Sequence, residues 1–173
     1  ETWPKDSDAI RHGGGMTWQV PTYDPELNLL YVTTGNPQPV IAHKNREGSN
    51  LYTASVVALH ADTGKMAWYF QTSPHDTHDW DSAQTPILFD ALVNGRMRKL
   101  VSTAARNGYF FTLDRLTGEH LVTSKYGLST NWVKSIEKNG SLRRDPDQDP
   151  TVGGSLVSPP AGGTINWEPP AYS

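Results

Sequence analysis

Eight consecutive residues, Pro74-His75-Asp76-Thr77-His78-Asp79-Trp80-Asp81, hold the densest cluster of reactive side chains in this 173-residue chain. Asp76, Asp79 and Asp81 are three carboxylates within six positions. An ionised carboxylate held against a hydroxyl can act as a general base. His75 and His78, interleaved with acids, also raise a zinc site, since imidazole and carboxylate both ligate that metal. Two facts count against zinc. No helix is expected here, so a spacing of three does not bring both imidazoles onto one face. The other histidines, His12, His43, His60 and His120, are scattered along the chain. A loop in which a His contacts substrate fits these residues better. Elsewhere, Gly35-Asn36-Pro37 and Arg106-Asn107-Gly108 each put a polar or cationic side chain into a turn. Turn chemistry alone accounts for either one, because Asn readily caps its own backbone; a ligand-facing role is the alternative.

The elements that must carry these residues read as strands. Short β-branched and aromatic runs between turn signals predict strands near Leu29–Thr34, Thr53–His60, Met66–Gln71, Thr85–Phe89, Lys99–Ala104, Tyr109–Asp114 and His120–Thr123. Asn94-Gly95 and Asn107-Gly108 are hairpin signals, since both residue types accept positive φ. No sustained 3.6-residue apolar period appears, so little helix is expected. Residues 125–165 are polar and rich in Gly and Pro, and are expected to form a long excursion on one face. The plan strand, acidic turn, Thr-Gly, charged residue, strand occurs at Val57–Lys65 and again at Phe111–Glu119, with the two glycines 118 − 64 = 54 residues apart. Trp18 followed four residues later by Tyr23-Asp24 recurs as Trp167 with Tyr172-Ser173. Repeated strand–turn–strand units with Trp suit blades of a β-propeller, four antiparallel strands each; a β-sandwich is the alternative.

Composition narrows the function classes. Fifteen Lys+Arg against 18 Asp+Glu give a net charge of −3 and exclude a strongly basic nucleic-acid surface. The apolar runs fall short of the ~20 residues of a membrane helix. With no Cys, thiolate metal sites, iron–sulfur clusters and disulfides within this chain are excluded. The opening Glu1-Thr-Trp-Pro-Lys has neither a basic nor an apolar leader region, and both ends look cut.

Three segments resemble motifs of the quinoprotein, or PQQ-dependent, alcohol and glucose dehydrogenases. The first runs from Trp18 through Tyr23-Asp24, Asn28 and Leu29–Val32 to Gly35-Asn36-Pro37-Gln38-Pro39; only Gln38 departs from the family pattern, which has Ser, Thr or Ala there. The second is Thr72 to Asp81, and the third Ala105-Arg106-Asn107-Gly108-Tyr109 to Arg115. All three occur in the family's order. The resemblance covers nearly the whole chain and implies about three blades of an eight-bladed, all-β propeller, with residues 1–173 as part of a single PQQ-binding domain.

The resemblance also implies roles. Trp18 corresponds to the indole floor beneath the quinone, and indole offers a wide flat face. Asn36 corresponds to a Ca²⁺ ligand through its side-chain oxygen, a hard neutral donor. Asp81 corresponds to the catalytic carboxylate and metal ligand, Arg106 to the cation beside the reactive quinone oxygens, and Asn166, more weakly, to a cofactor-facing polar residue. Lanthanide-dependent relatives carry a second Asp two positions beyond Asp81; Ala83 stands there, which implies Ca²⁺. The implied activity is oxidation of a primary alcohol or sugar, with electrons passing to a cytochrome c or quinone. The implied location is periplasmic or secreted, with any membrane association made through regions outside this chain. The family's glutamate ligand lies well upstream of Gly35-Asn36-Pro37, where this chain has too few residues to supply it. The 173-residue piece by itself is therefore expected to bind PQQ weakly and to be inactive. A non-catalytic scaffold built on the same blades is the alternative; it gives no reason for Trp18, Asn36, Asp81 and Arg106 to occur together.

Overall fold

A computed structural model describes residues 2–126 and 129–173. Two four-stranded antiparallel sheets account for most of the order. The first is β1 (Thr22–Asp24), β2 (Leu29–Thr33), β3 (Ser55–His60) and β4 (Met66–Gln71), and the second is β5 (Ile87–Val93), β6 (Arg96–Ala104), β7 (Tyr109–Asp114) and β8 (His120–Lys125). In each, strands follow one another in sequence order, the up-and-down meander of a propeller blade. A hairpin of β9 (Val133–Ile136) and β10 (Leu142–Arg144) lies within the expected excursion, of which residues 127 and 128 fall outside the described set. Where the sequence suggests about three blades, two are complete among the described residues, and the flanking segments are poor in strand.

Side-chain alternation builds the core. On β2, Leu29, Tyr31 and Thr33 are buried while Leu30 and Val32 are half-buried, the period-two pattern of a strand with one covered face. Tyr31, Val56, Ala58, Trp68 and Phe70 of the first sheet join Val101, Tyr109, Phe111 and Leu113 of the second in one cluster. The sheets meet at Phe70 and Phe111, whose ring centroids are 5.4 Å apart. Burying a side chain of this size contributes about 2–3 kcal/mol. Trp68 is the blade-packing tryptophan of the first repeat: a Cβ on Gly118 would fall 2.8 Å from its ring. Trp18 and Trp167 lie outside this cluster, 43% and 56% exposed, so their repeat does not mark a core position here.

Two expected boundaries move for identifiable reasons. β5 begins at Ile87 rather than Thr85, because Pro86 has no N–H to give to the ladder. β5 and β6 then run on to Asn94-Gly95, whose φ values of 50° and 76° make the tight two-residue turn that both residue types permit. Within the excursion, Trp132 and Leu142 are buried in the core cluster, so this segment packs against the blades.

The loops sort to opposite ends of the sheets. The β2–β3 loop (34–54), the β4–β5 loop (72–86) and the β6–β7 turn (105–108) share one end. At the other end Arg115, in the β7–β8 turn, crosses to the first sheet: its Nε lies 2.7 Å from Asp24 Oδ2 and its Nη2 3.3 Å from Glu26 Oε2. Its carbonyl accepts from Tyr31 Oη at 2.8 Å and from Trp68 Nε1 at 3.2 Å.

Candidate functional site

Three of the five residues singled out from sequence converge at the loop-bearing end. Asn36 follows β2, Asp81 lies in the β4–β5 loop, and Arg106 opens the β6–β7 turn. The Asp81 carboxylate sits between the other two: Oδ1 accepts from the Asn36 backbone N–H at 2.5 Å, and Oδ2 accepts from Arg106 Nη1 at 2.8 Å. Both side chains of this pair are about nine-tenths buried. Gly35 makes the approach possible, since a Cβ there would fall 2.8 Å from Asp81 Oδ1.

The backbone explains how such a small loop is held. Gly15 N–H donates to Asn36 O at 2.8 Å and Gly35 N–H to Met16 O at 3.0 Å, zipping the segment before β1 onto the Gly-Asn-Pro turn. This places Trp18 two residues beyond Met16, whose carbonyl holds Gly35. The Trp18 indole makes no hydrogen bond or aromatic ring contact among the described residues and is 43% exposed. Asn36 Nδ2 donates to Pro37 O at 2.9 Å, and Oδ1 accepts no hydrogen bond among the described residues.

The competing acids separate cleanly. Asp76 is a loop former: Oδ1 accepts from His78 N–H at 3.0 Å and Oδ2 from Trp80 N–H at 2.9 Å. Its complete burial pushes its carboxyl up to about 6. Asp79 is 43% exposed and lies 3.6 Å from Arg106 Nη2; burial raises its pKa, and the guanidinium opposes that rise. His78 is also structural. Its ring stacks on Trp80 at 4.4 Å, its Nε2 is 3.1 Å from Gln148 O, and Trp80 in turn meets Trp132 at 4.8 Å. Among the described residues no three His, Cys, Asp or Glu side chains are grouped so as to hold a metal ion.

Asn166 is not brought to Asp81. Its Nδ2 donates to Gly162 O at 3.3 Å, and its carbonyl accepts from Gln84 Nε2 in the same loop as Asp81. What sequence reasoning missed is the return of the excursion onto Arg106. Arg106 Nη2 donates to Ala161 O at 2.5 Å, Thr164 N–H donates to Arg106 O at 3.0 Å, and Trp80 Nε1 donates to Pro160 O at 3.1 Å. The glycines at 162 and 163 were the available signal. In the sequence they register only as loop composition.

The donor set can be weighed against a quinone and a metal ion. Arg106 Nε is buried and finds no acceptor among the described residues. Asn36 Oδ1 is free, and each Asp81 oxygen keeps a lone pair beyond its single hydrogen bond. A neutral and an anionic hard oxygen donor, a cation with a donor to spare and a partly exposed indole fit a carboxylated quinone with a hard cation.

A blade meander with an Asn–Asp–Arg cluster on its loop end defines a segment of a quinoprotein-type propeller. Comparison with known proteins agrees. The sequence model described as "PQQ: Glucose/ethanol/alcohol dehydrogenase, beta-propeller domain" matches residues 1–126, and the chain belongs to this family. Quinohemoprotein alcohol dehydrogenase ADH-IIG of Pseudomonas putida is 35% identical over all of this chain and 25% of its own length. The quinohemoprotein alcohol dehydrogenase of Comamonas testosteroni is 39% identical over 93% of this chain and 23% of its own. A solved europium-containing methanol dehydrogenase superposes with a TM-score of 0.91 at 32% identity, covering 99% of this chain and 30% of that one. The chain thus spans about a quarter of the length of the curated relatives it matches.

Proposed function

We propose that the protein carrying this chain is a PQQ- and Ca²⁺-dependent dehydrogenase that oxidises a primary alcohol or sugar. The observation that carries this reading is the Asp81 carboxylate held between the Asn36 N–H and Arg106 Nη1. When bound, PQQ supplies the two-electron acceptor and Ca²⁺ the Lewis acid. Asn36 Oδ1 and Asp81 would ligate the cation, Trp18 would offer its indole for stacking, and Arg106 would supply a cationic donor to the quinone. Asp81 accepts the substrate hydroxyl proton at a carboxylate oxygen. Arg106 keeps that oxygen aimed and screens its charge, and a positioned donor of this kind also stabilises negative charge as it develops. Asn166 acts through its carbonyl on Gln84 rather than by touching the cofactor.

Ala83, buried at 1% exposure, offers no third oxygen and favours Ca²⁺ over a lanthanide. The names of the relatives favour an alcohol as substrate and a haem or other cytochrome-type acceptor. A periplasmic setting suits such an electron path. The test is reconstitution of the full-length protein with PQQ and Ca²⁺, followed by dye-linked oxidation of alcohols and sugars. Activity that needs both additions supports the reading, and a folded protein that binds neither overturns it.

A further inference from the structure

We propose that Arg46 is a positioning residue for the metal side of this site, locking the loop that carries Asn36 against the loop that carries Asp81. The inference rests on the function proposed above. Arg46 lies in the short 3-10 helix His43–Arg46, inside the β2–β3 loop, and is 0% exposed. It has no carboxylate within ion-pair distance among the described residues. Such a burial is costly for a charged group unless every donor is met.

Its donors are met in a telling way. Nε donates to Pro39 O at 2.7 Å and Nη2 to Val40 O at 2.6 Å, three and four residues after Asn36. Nη2 also donates to Asp76 O at 2.5 Å, five residues before Asp81. Nη1 donates to Asn50 Oδ1 at 2.7 Å, and Asn50 Nδ2 returns a bond to Arg46 O at 2.7 Å. The acceptors are therefore split between the two loops that bear the two ligands. A planar guanidinium can serve several separated acceptors at once, whereas an ammonium is a point donor on a flexible stem.

The geometry then runs as a closed circuit. From Asp76 its own carboxylate turns the chain by holding the N–H groups of His78 and Trp80, which delivers Asp81. Asp81 meets Asn36 N–H, and Ser82 N–H meets Thr34 O at 3.2 Å, closing the near side. Arg46 closes the far side. Thr72 N–H to Ala54 O at 2.8 Å and His75 N–H to Ser49 O at 3.2 Å also join the two loops. Arg46 is nonetheless what links the Pro39 and Val40 carbonyls just after Asn36 to the Asp76 carbonyl, and without it the stretch that carries Asn36 loses that tie. Partners that orient ligands in this way typically change metal affinity by about 10–100-fold.

The test uses the full-length protein in its apo form, with Arg46→Lys and Arg46→Gln compared with the parent and with Asn36→Ala and Asp81→Asn. Folding is checked by circular dichroism, and Ca²⁺ is titrated calorimetrically in the presence of PQQ. The expected result is folded Arg46 variants with Ca²⁺ affinity lower by about tenfold, and with kcat restored towards the parent value at saturating Ca²⁺. A lowered melting temperature with Ca²⁺ affinity unchanged would make Arg46 merely structural and overturn the proposal. If Asn36→Ala and Asp81→Asn leave Ca²⁺ affinity intact, the site reading itself fails, and the role of Arg46 fails with it. Should both Arg46 variants not fold, Asn50→Ala removes one acceptor and leaves the guanidinium. A weaker but measurable loss of Ca²⁺ affinity is then expected, and an unchanged affinity overturns the inference.

Discussion

Gly163 lies against Arg106 so closely that a Cβ on the glycine would fall 2.7 Å from the Arg106 Cβ and 2.9 Å from its carbonyl oxygen. The φ of Gly163 is +82°, which side chains rarely adopt. The excursion thus buttresses the guanidinium that aims Asp81. Gly163→Ala should displace Arg106 and lower kcat of the full-length enzyme by about 10–100-fold, the scale of an ångström-level misplacement. Steady-state kinetics with PQQ and Ca²⁺ saturating check this, and parental kcat in the variant would show that the excursion does not aim Arg106.

Asp81→Asn should retain PQQ at saturating Ca²⁺ yet lose turnover by on the order of 10²–10⁴, the contribution of one positioned base. It should also lower the melting temperature, because Arg106 would be left buried without its carboxylate. Full activity in Asp81→Asn, together with inactivity of Asp79→Asn, would move the base two residues upstream.

Ca²⁺ should activate the full-length apo-enzyme more than La³⁺ does, because Ala83 offers no further carboxylate. Ala83→Asp should shift that preference towards La³⁺. Stronger activation of the parent by La³⁺ would refute the argument from Ala83.

Acid should weaken the fold through His75. Its Nδ1 lies 2.6 Å from the Gly48 carbonyl and so must carry the proton, which leaves Nε2 to accept from His43 Nδ1–H at 2.9 Å. Burial lowers its pKa from 6.5 to about 4. A base depressed in this way stabilises the fold above about 6.5, and that contribution is lost as pH falls towards 4. Asp76 acts in the opposite sense. Its pKa is raised from 3.8 to about 6, so its contribution is full below 3.8 and is lost as pH rises through 6. His75→Gln should therefore lose less stability than the parent between pH 6.5 and 4, by up to ~2 kcal/mol after allowing for solvent screening. Urea unfolding across that range measures it, and identical slopes would exclude His75.

Local pattern made much of this legible. β4 and β7 fall at the positions their sequences suggest, because alternation and flanking Thr-Gly turns are short-range signals. Asn36, Asp81 and Arg106 are singled out by the family resemblance and not by their turns, and the structure brings the three together. Arg46 is not singled out, since a lone arginine among polar residues gives no sign that carbonyls from two loops will surround it. β9 and β10 read as loop in the sequence although Asn139-Gly140 marks their turn; three- and four-residue strands carry too little alternation to register. The attachment of Asn166 depends on Gln84, 82 residues away in sequence.

Arg115 gives the two blades a fastening at the end away from Asp81, reaching Asp24 and Glu26 with its guanidinium and Tyr31 and Trp68 with its carbonyl. A wedge pinned at its base keeps its angle. Exposed positions of the β2–β3 loop or of the excursion can then change without altering how the blades are set against each other. The loop-bearing rim can thus vary while the opposite rim preserves the spacing of the blades that carry Asn36, Asp81 and Arg106.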